Sequence, residues 1–347
     1  MAFTDPISAE LNPSGIMQVG LGFWASKVLL SAVELGLFTH LSSGPLTGEE
    51  IGRRLKLHPR GIWDFLDALV ALKFLDRDGS GKGGKYRNTP ETALFLDRGS
   101  PHYIGGILEM ANARLYRFWG GLTEGLQTGQ PQNETAHGEE QVFDVLYSDP
   151  AKLEQFLAAM AGISKGNFRS FADKFDFSRY QTLCDVGGAT GQLAIAVANR
   201  HPHMHCISFD LPVVEPIAER VIRAAGVSDR VTTARGSFFE DPLPRADVIT
   251  MGMILHDWNL QKKKFLIQAA YDALPPGGAL VAIENIIDDE RRENAFGILM
   301  SLNMLIEFGE AFDFTGSDFS DWCKEAGFQR TQIIPLGGPA SAAVAYK

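Results

Sequence analysis

One glycine-rich segment, residues 185–191, has the composition of a loop that holds a ligand. It reads Asp-Val-Gly-Gly-Ala-Thr-Gly and lies where an apolar run gives way to a helical pattern. Glycines at such a junction let the backbone approach a ligand closely. The spacing is not that of a dinucleotide site, because Ala189 and Thr190 break both frames of G-x-G-x-x-G. Gln192 after Gly191 also excludes a P-loop, so the ligand is not held by a pyrophosphate.

A carboxylate, Asp210, follows the next predicted strand, 25 residues after Asp185. In this position a carboxylate accepts both hydrogen bonds of a ribose diol. A nucleoside that carries no phosphate fits both features, and S-adenosylmethionine is the commonest cofactor of this kind. The residues expected at this cofactor site are Asp185, Gly187, Gly188, Gly191, Asp210 and Leu211.

A histidine, His256, is of the residue type that removes a proton near neutral pH. It comes directly after the fourth predicted strand of the second half, within Leu-His-Asp-Trp. Polar side chains also end neighbouring predicted strands at Asp185, Asp210, Ser237 and Glu284. Because the carboxyl ends of parallel strands form the ligand-binding edge of a sheet, this placement favours a catalytic over a structural role for His256.

The elements that carry these residues alternate between strand and helix after residue 180. Apolar strands are predicted at 182–186, 206–210, 231–237, 247–253, 279–287, 332–336 and 342–346. Helical patterns lie between or beside them at 192–200, 213–225, 261–274, 294–308 and 318–326. Strands that alternate with helices pair in parallel, so the pattern predicts an α/β fold with a doubly wound sheet.

The first half of the chain has a helical pattern instead. A capping box begins at Thr47, and a glycine-rich turn at 79–84 precedes a short strand at 85–88. Helix, turn, helix and hairpin in this order indicate a winged helix. Asp64 and Asp67 lie on the helix that would enter a DNA groove, where phosphates would repel them. We therefore interpret this region as a packing or dimerisation module.

Composition restricts the function classes further. The 347 residues include 32 Lys and Arg against 42 Asp and Glu, a net charge of −10 that argues against nucleic-acid binding. The three cysteines form no C-x-x-C pair, so no disulfide framework is predicted. The alternating histidines at 201–205 have no carboxylate or cysteine nearby to complete a metal site, and the basic run 262–264 is interpreted as a solvated helix face. Without a signal-peptide layout or 18 consecutive apolar residues, we expect a cytoplasmic protein with no membrane partner.

Four motifs and the winged-helix half together resemble a known family. The motifs are DVGGATG at 185–191, FDLP at 209–212, LHDW at 255–258 and ALPPGGAL at 273–280. They resemble the plant-type and bacterial antibiotic-type small-molecule O-methyltransferases, which include the acetylserotonin and caffeate-type enzymes. The resemblance runs from about residue 20 to the last residue.

This resemblance implies a fold and a division of labour. The fold would be a class I methyltransferase, a Rossmann-like doubly wound sheet preceded by an all-α, winged-helix dimerisation domain. Residues 1–172 would dimerise and help to form the acceptor pocket, and residues 173–347 would bind S-adenosylmethionine and carry catalysis. Such enzymes release S-adenosylhomocysteine, use no metal, and act as homodimers on a small-molecule acceptor.

The resemblance also assigns roles to individual residues. His256 matches the general base, and Glu284 and Asp313 match the two acids that bracket it. Further positions beside the cofactor are Ser237, Phe238 and Ser164. The expected acceptor pocket contains Phe156, Met160, Met304, Trp119 and Phe143. Asp257 is interpreted as a residue that orders the loop.

Three positions depart from the family pattern. Asp313 is one methylene shorter than the usual Glu, which puts its contact with His256 in question. Ser237 replaces the Asp that usually faces the adenine, so a weaker cofactor affinity is expected. Gly252 replaces a frequent Lys or Arg near the cofactor.

The leading hypothesis is methyl transfer to a hydroxyl, most simply a phenol or enol of a secondary metabolite. Sulfur and nitrogen remain alternative acceptor atoms, and a thiolate would need His256 less. Some relatives have replaced methyl transfer by hydroxylation or pericyclic chemistry, and the retention of His256 and Glu284 argues against this. A winged-helix regulator that senses S-adenosylmethionine is the alternative outside enzymes. The residues do not identify the acceptor.

Overall fold

The computed structural model describes residues 11–134 and 150–347, and the chain divides into two compact units, Met1–Ala113 and Arg114–Lys347. The boundary predicted between residues 172 and 173 falls within the last turn of the helix Pro150–Lys174. That helix packs along the helix Gln192–Arg200 and the strand Arg330–Gly337, which explains why its residues cluster with the second unit.

The first unit consists of short helices around a small sheet. Its helices are α1 (Ser14–Gly20), α2 (Gly22–Glu34), α3 (Leu37–His40), α4 (Gly48–Arg54), α5 (Ile62–Ala71), α6 (Pro90–Phe95) and α7 (Gly105–Met110). Its strands β1 (Leu46–Thr47), β2 (Leu75–Asp78) and β3 (Lys85–Asn88) pair antiparallel in the order β1-β3-β2. The predicted capping box is present, because Thr47 and Glu50 each accept a hydrogen bond from the other's backbone N–H. The hairpin β2–β3 follows α5, as a winged helix requires.

The helices α1 and α2 expose an apolar surface. The large side chains on it are Ile16, Met17, Val19, Phe23 and Trp24. Among the described residues, one segment, Ser14–Glu34, is long and apolar enough to cross a membrane by length and composition. Lys27 lies in the middle of this segment, which is why no unbroken apolar run marks it in the sequence.

The second unit is built on a single sheet. Its strands are β4 (Thr182–Val186), β5 (His205–Asp210), β6 (Val231–Arg235), β7 (Val248–Gly252), β8 (Ala279–Glu284), β9 (Arg330–Gly337) and β10 (Ala340–Tyr346). Its helices are α8 (Tyr116–Phe118), α9 (Leu122–Thr128), α10 (Pro150–Lys174), α11 (Gln192–Arg200), α12 (Glu215–Ala224), α13 (Leu260–Ala273), α14 (Ala295–Phe308) and α15 (Gly316–Ala326). The strand order is β6-β5-β4-β7-β8-β10-β9, and within the described sheet β10 is the one strand whose direction is opposite to that of the others.

Hydrophobic cores cover both faces of this sheet, and the central strands are correspondingly apolar along their whole length. The chain order reverses between β4 and β7, so the crevice at their carboxyl ends is the topological switch point where open α/β sheets bind ligands. The predicted parallel, doubly wound sheet is confirmed. Three predicted strands end earlier than expected, β6 at Arg235, β7 at Gly252 and β8 at Glu284, and the early end of β6 leaves Ser237 in the turn beyond its strand.

Candidate active site

The glycine loop between β4 and α11 is fixed by backbone hydrogen bonds to the end of β5. The N–H groups of Gly187 and Gly188 both donate to the Phe209 carbonyl, at 2.9 and 3.2 Å. Gly187 has a φ of 69°, and a Cβ there would lie 2.3 Å from Ile254 Cδ1, so a side chain has neither the conformation nor the space. Gly191 closes the loop as the N-cap of α11, with its N–H on the Gly188 carbonyl.

Asp210 joins this loop to the end of β5 through both carboxylate oxygens. Oδ2 accepts the N–H of Ala189 at 2.8 Å, and Oδ1 accepts the N–H of Leu211 at 2.7 Å. Burial raises the pKa of Asp210, and these two backbone N–H groups oppose the rise. Each carboxylate oxygen has two lone pairs, so each can accept one more hydrogen bond. A carboxylate beside a glycine loop without phosphate-binding side chains fits the ribose diol of S-adenosylmethionine.

Asp185, at the end of β4, lies beneath the loop and is 4% exposed. Its Oδ1 accepts a hydrogen bond from Thr250 Oγ1 on the neighbouring strand β7, at 2.8 Å. Burial raises the pKa of Asp185 to about 7, against the opposing effect of the Thr250 hydroxyl. Asp185 therefore contributes to the switch point a carboxyl group that titrates near neutral pH.

The turn after β6 brings the predicted adenine-side residues to the same edge. Ser237 Oγ accepts the N–H of Phe239 at 3.3 Å, and the Ser237 N–H donates to Asp241 at 2.8 Å, so this serine is a turn-capping residue here. Phe238 Cε1 lies 3.9 Å from the position that a Cβ on Gly187 would take. The Phe238 ring is therefore adjacent to the glycine loop, as expected for a residue that covers the cofactor.

His256 lies in the short helical turn Leu255–Asp257 that follows β7, and it is 5% exposed. Carboxylates flank both ring nitrogens. Nδ1 lies 3.4 Å from Asp313 Oδ1, and Nε2 lies 3.2 Å from Asp257 Oδ1. The contact with Asp313, questioned because of its shorter side chain, is present as a charge contact whose geometry is too long for a good hydrogen bond. Asp257, expected only to order the loop, touches the ring itself.

Glu284, at the end of β8, holds the turn rather than the imidazole. Its Oε1 accepts the backbone N–H groups of Leu255 and His256, at 3.0 and 3.4 Å. The sequence predicted a direct orienting partner of the ring. In the structure, β8 is the direct neighbour of β7, and the Glu284 carboxylate accepts the first N–H groups of the turn that follows β7 instead of contacting the ring. Glu284 therefore contacts the backbone of the turn that carries His256.

The electrostatics of this cluster favour a protonated ring. Burial lowers the pKa of His256, but the carboxylates of Asp257, Glu284 and Asp313 outweigh it and raise the value to about 10. Burial raises the pKa of Glu284 to about 7 and that of Asp257 to about 6, although the imidazolium opposes both shifts. The cluster therefore stabilises the imidazolium, which is the form that a histidine takes after it has accepted a proton.

Ligand atoms of His256, Glu284 and Asp313 lie within 4.8 Å of one another, which is compact enough for a metal ion. Three buried carboxylate oxygens have no hydrogen-bond donor in the described structure: Glu284 Oε2, Asp313 Oδ1 and Asp313 Oδ2. These oxygens keep acceptor capacity free beside His256.

The predicted pocket residues lie on three helical segments of the second unit. Three of the predicted residues are partly buried on α10: Phe156, Met160 and Ser164. Phe156 packs on a small buried cluster of Leu153, Leu157 and Val214. Ala189 of the glycine loop and Leu211 after β5 contact the same cluster. Met304 is buried on α14. The residue before it, Asn303, accepts a hydrogen bond at Oδ1 from Trp119 Nε1, at 2.9 Å. Phe143 lies outside the described residues.

Two features of the site were not predicted. The basic run 262–264 is not a solvated face throughout, because Lys263 is fully buried on the inner side of α13. This expectation was wrong, since Lys263 lies on the same buried face of the helix as Leu266, Ile267 and Ala270.

The second feature is the space beside Gly252. A Cβ at Gly252 would lie 3.1 Å from Phe168 Cε1, so this aromatic ring occupies the space of the side chain usual in the family.

A sheet with this strand order, a glycine loop at its switch point and a carboxylate at the end of the next strand defines the class of S-adenosylmethionine-dependent methyltransferases. Residues 119–329 match the model of the O-methyltransferase domain, and residues 17–98 match that of the O-methyltransferase dimerisation domain. The chain belongs to this O-methyltransferase family, and the predicted class I, Rossmann-like fold with a dimerisation domain is confirmed.

Named relatives cover nearly the whole chain. The tetracenomycin polyketide synthesis 8-O-methyl transferase TcmO of Streptomyces glaucescens is 40% identical over 97% of both chains. The N,N-dimethyltransferase OxyT of Streptomyces rimosus is 37% identical over 95% of this chain and 94% of its own. The human N-acetylserotonin methyltransferase, solved in complex with SAM, superposes with a TM-score of 0.89 at 29% identity, over 98% of this chain and 99% of its own. The protein is an enzyme, an S-adenosylmethionine-dependent methyltransferase, and the expected cofactor is confirmed.

Proposed function

We propose that the protein transfers the methyl group of S-adenosylmethionine to a hydroxyl of an aromatic, polyketide-like small molecule, with His256 as the general base. The observation that carries this proposal is the buried His256 among three carboxylates, on the same sheet edge as Asp210 and the glycine loop. A hydroxyl must lose a proton to become a strong nucleophile, and this cluster provides a base with acids around it. The activity for which TcmO is named, 8-O-methyl transfer in polyketide synthesis, agrees with this choice.

The chain's own residues would bind, orient and deprotonate. When bound, S-adenosylmethionine supplies a methyl group activated by a sulfonium. Asp210 would accept the ribose hydroxyls, and the loop from Gly187 to Gly191 would hold the backbone close to the nucleoside. His256, in its neutral form, would take the acceptor's proton at Nε2 while Asp313 stabilises the resulting imidazolium at Nδ1. Asp257 lies 3.2 Å from Nε2 and would have to share or vacate that position when the acceptor binds.

The acceptor pocket would lie between α10, α14 and the segment around Trp119. Phe156, Met160 and Met304 would supply its apolar walls, with Phe143 as a further lining residue. The hydrogen bond between Trp119 and Asn303 fixes the indole and would give the wall a rigid aromatic surface. Flat aromatic acceptors suit such a lining better than flexible aliphatic ones.

Nitrogen is the second candidate acceptor atom, because OxyT, at 37% identity, is named as an N,N-dimethyltransferase. A neutral amine is nucleophilic before it loses a proton, so a base would be needed only after transfer. Its turnover would therefore depend on His256 much less than that of a phenol.

Incubation with methyl-labelled S-adenosylmethionine and a panel of phenols, thiols and amines tests the acceptor class. We expect label transfer to polycyclic phenols, which His256→Ala abolishes. Equal transfer to an amine or thiol by the wild type and by His256→Ala would overturn the assignment of oxygen as the acceptor atom.

The enzyme would act as a cytoplasmic homodimer through its N-terminal half. The first support is the exposed apolar surface of α1 and α2, where Val19 is 83% and Trp24 is 60% exposed. The second is the match of residues 17–98 to the model of a dimerisation domain. Light scattering at micromolar concentration should give twice the chain mass, and Trp24→Glu should lower it while Lys82→Glu, on the exposed hairpin turn, should not. A monomeric mass, or recovery of the wild type only with membranes, would contradict this.

A further inference from the structure

Lys263 is a buried cation next to the proposed base, and the mechanism above leaves it unused. It lies on α13, which begins directly after the catalytic turn, and its side chain is 0% exposed. Its Nζ donates a hydrogen bond to the carbonyl of Trp258, the residue that follows Asp257. The same Nζ lies 3.8 Å from the centre of the Phe312 ring, next to Asp313. Lys263 thus reaches both chain segments that bring a carboxylate to His256.

A buried ammonium is costly unless nearby negative charge compensates it. One carbonyl and one aromatic face stabilise Lys263 only in part. The compensating charges come from Glu284, Asp313 and Asp257, whose fields all favour the charged form of the lysine. Burial acts in the opposite direction and is the larger effect, so the pKa of Lys263 is lowered to about 8 although the three acids raise it.

The influence is mutual, because the carboxylates feel the lysine as well. The charge of Lys263 lowers the pKa of Glu284 and that of Asp257, both of which burial would otherwise raise further. The other charged groups that act on this cluster are His256 on the turn, Asp313 beyond α14, and Glu307 on α14, which acts on Asp257. Among these groups Lys263 is the one lysine, and it is buried near the three acids Asp257, Glu284 and Asp313.

We propose that Lys263 is a positioning residue, whose buried ammonium favours the ionised carboxylates of Asp257 and Glu284 around His256. An ionised Glu284 holds the turn through the N–H groups of Leu255 and His256. Ionised acids also stabilise the imidazolium that forms when His256 takes the acceptor's proton. A protonated cluster would lose both effects, so the charge of Lys263 would help to preserve them near neutral pH.

Two variants separate the charge of Lys263 from its hydrogen bond. Lys263→Met removes both and fits the apolar surroundings, whereas Lys263→Gln removes the charge and keeps a donor for the Trp258 carbonyl. Lys264→Met is the matched control, because it removes the next lysine, whose ion pair with Glu325 lies on the surface.

The first measurement is infrared titration of buried carboxylic acid in the cofactor-free protein, with Glu284→Gln to assign the Glu284 band. Both Lys263 variants should move the midpoint to higher pH by about one to three pH units, the usual effect of a nearby opposite charge. Lys264→Met should leave it unchanged. Unmoved midpoints in both Lys263 variants would overturn the proposal, as would a shift in Lys263→Met without one in Lys263→Gln.

The second measurement is the pH dependence of kcat, which rests on the proposed base. We expect the ratio of the kcat of each Lys263 variant to that of the wild type to be lowest below the variant's shifted carboxyl midpoint and to recover above it, because only the ionised acids hold the turn and stabilise the imidazolium. A loss of activity that is equal at all pH values would mean a merely structural role and would overturn the proposal. A ratio close to one at every pH, despite shifted infrared midpoints, would support the ionising role of Lys263 and reject an effect of the acids on turnover.

Discussion

Two regions at the carboxyl edge of the sheet differ in how their carboxylates are hydrogen-bonded. One is the cofactor edge, formed by the glycine loop 187–191 and Asp210, and the other is the base cluster of His256, Asp257, Glu284 and Asp313. At the cofactor edge, each oxygen of Asp210 accepts a backbone N–H, from Ala189 and from Leu211. In the base cluster, both oxygens of Asp313 are buried without a donor in the described structure. One carboxylate is held in place before any ligand binds, and the other keeps its acceptor capacity free.

This difference separates binding from catalysis. A carboxylate fixed by backbone donors presents the same geometry to each cofactor molecule and needs little reorganisation. A buried acid without donors, such as Asp313, is costly. Together with Asp257 and Glu284, it raises the pKa of His256 to about 10. Such cost is typical of sites that must change their charge during a reaction. Substitutions at the two places should therefore change different measured quantities.

The largest effect is expected from His256→Ala. A positioned base typically contributes about 10²–10⁴-fold in rate, so kcat should fall by roughly that factor for a phenolic acceptor. Binding of S-adenosylmethionine, measured by calorimetry, should remain nearly unchanged because His256 is not part of the loop that holds the nucleoside. Glu284→Gln should reduce kcat less, since its amide oxygen can still accept the N–H of Leu255.

Near-normal turnover of His256→Ala would break the comparison. Alignment of the two reactants alone would then carry the reaction. An acceptor that needs no deprotonation, such as a thiolate or a neutral amine, would become the better assignment.

The second effect concerns affinity. Asp210→Ala should weaken S-adenosylmethionine binding by roughly 1.5–3 kcal/mol, the scale of hydrogen bonds to a charged group. The loss includes the freed N–H groups of Ala189 and Leu211, which no longer fix the loop. Calorimetry on the folded variant measures it, with Glu284→Gln as a control that should bind normally. An unchanged affinity would remove Asp210 from the cofactor site.

The sequence was sufficient for the cofactor edge because its signals are local. The glycines follow one strand and the carboxylate ends the next strand along the chain, and the parallel pairing of these two strands brings them together. Gly187 and Asp210 therefore lie where their spacing predicted. Ser237 was placed at a strand end but lies in the turn beyond it, because β6 stops at Arg235.

The base cluster was predicted only in part because its contacts are long-range. His256 and Glu284 were identified from strand ends, but the choice between a ring contact and a backbone contact depends on a turn geometry that no spacing specifies. Lys263 could have been found, since it shares the helical period of Leu266 and Ile267. Its place in a run of three lysines favoured the surface instead, and tertiary burial decided otherwise.

The smallest effect is expected from Asp313→Asn, and it tests the sign of the electrostatics. Asp313 raises the pKa of His256, so removing its charge should lower that pKa and move the rising limb of kcat to lower pH. The plateau above the limb should fall less than tenfold, because Asp313 Oδ1 lies 3.4 Å from His256 Nδ1 and contributes weakly to the orientation of the ring at that distance.

A second variant and a control sharpen this test. Asp313→Glu restores the longer side chain usual in the family and should move the limb to higher pH. Asp321→Asn, an exposed acid on α15, is the control and should leave the profile unchanged. If Asp313→Asn leaves the limb in place, the charge of Asp313 does not set the protonation of His256, and the contrast between Asp210 and Asp313 has no catalytic consequence.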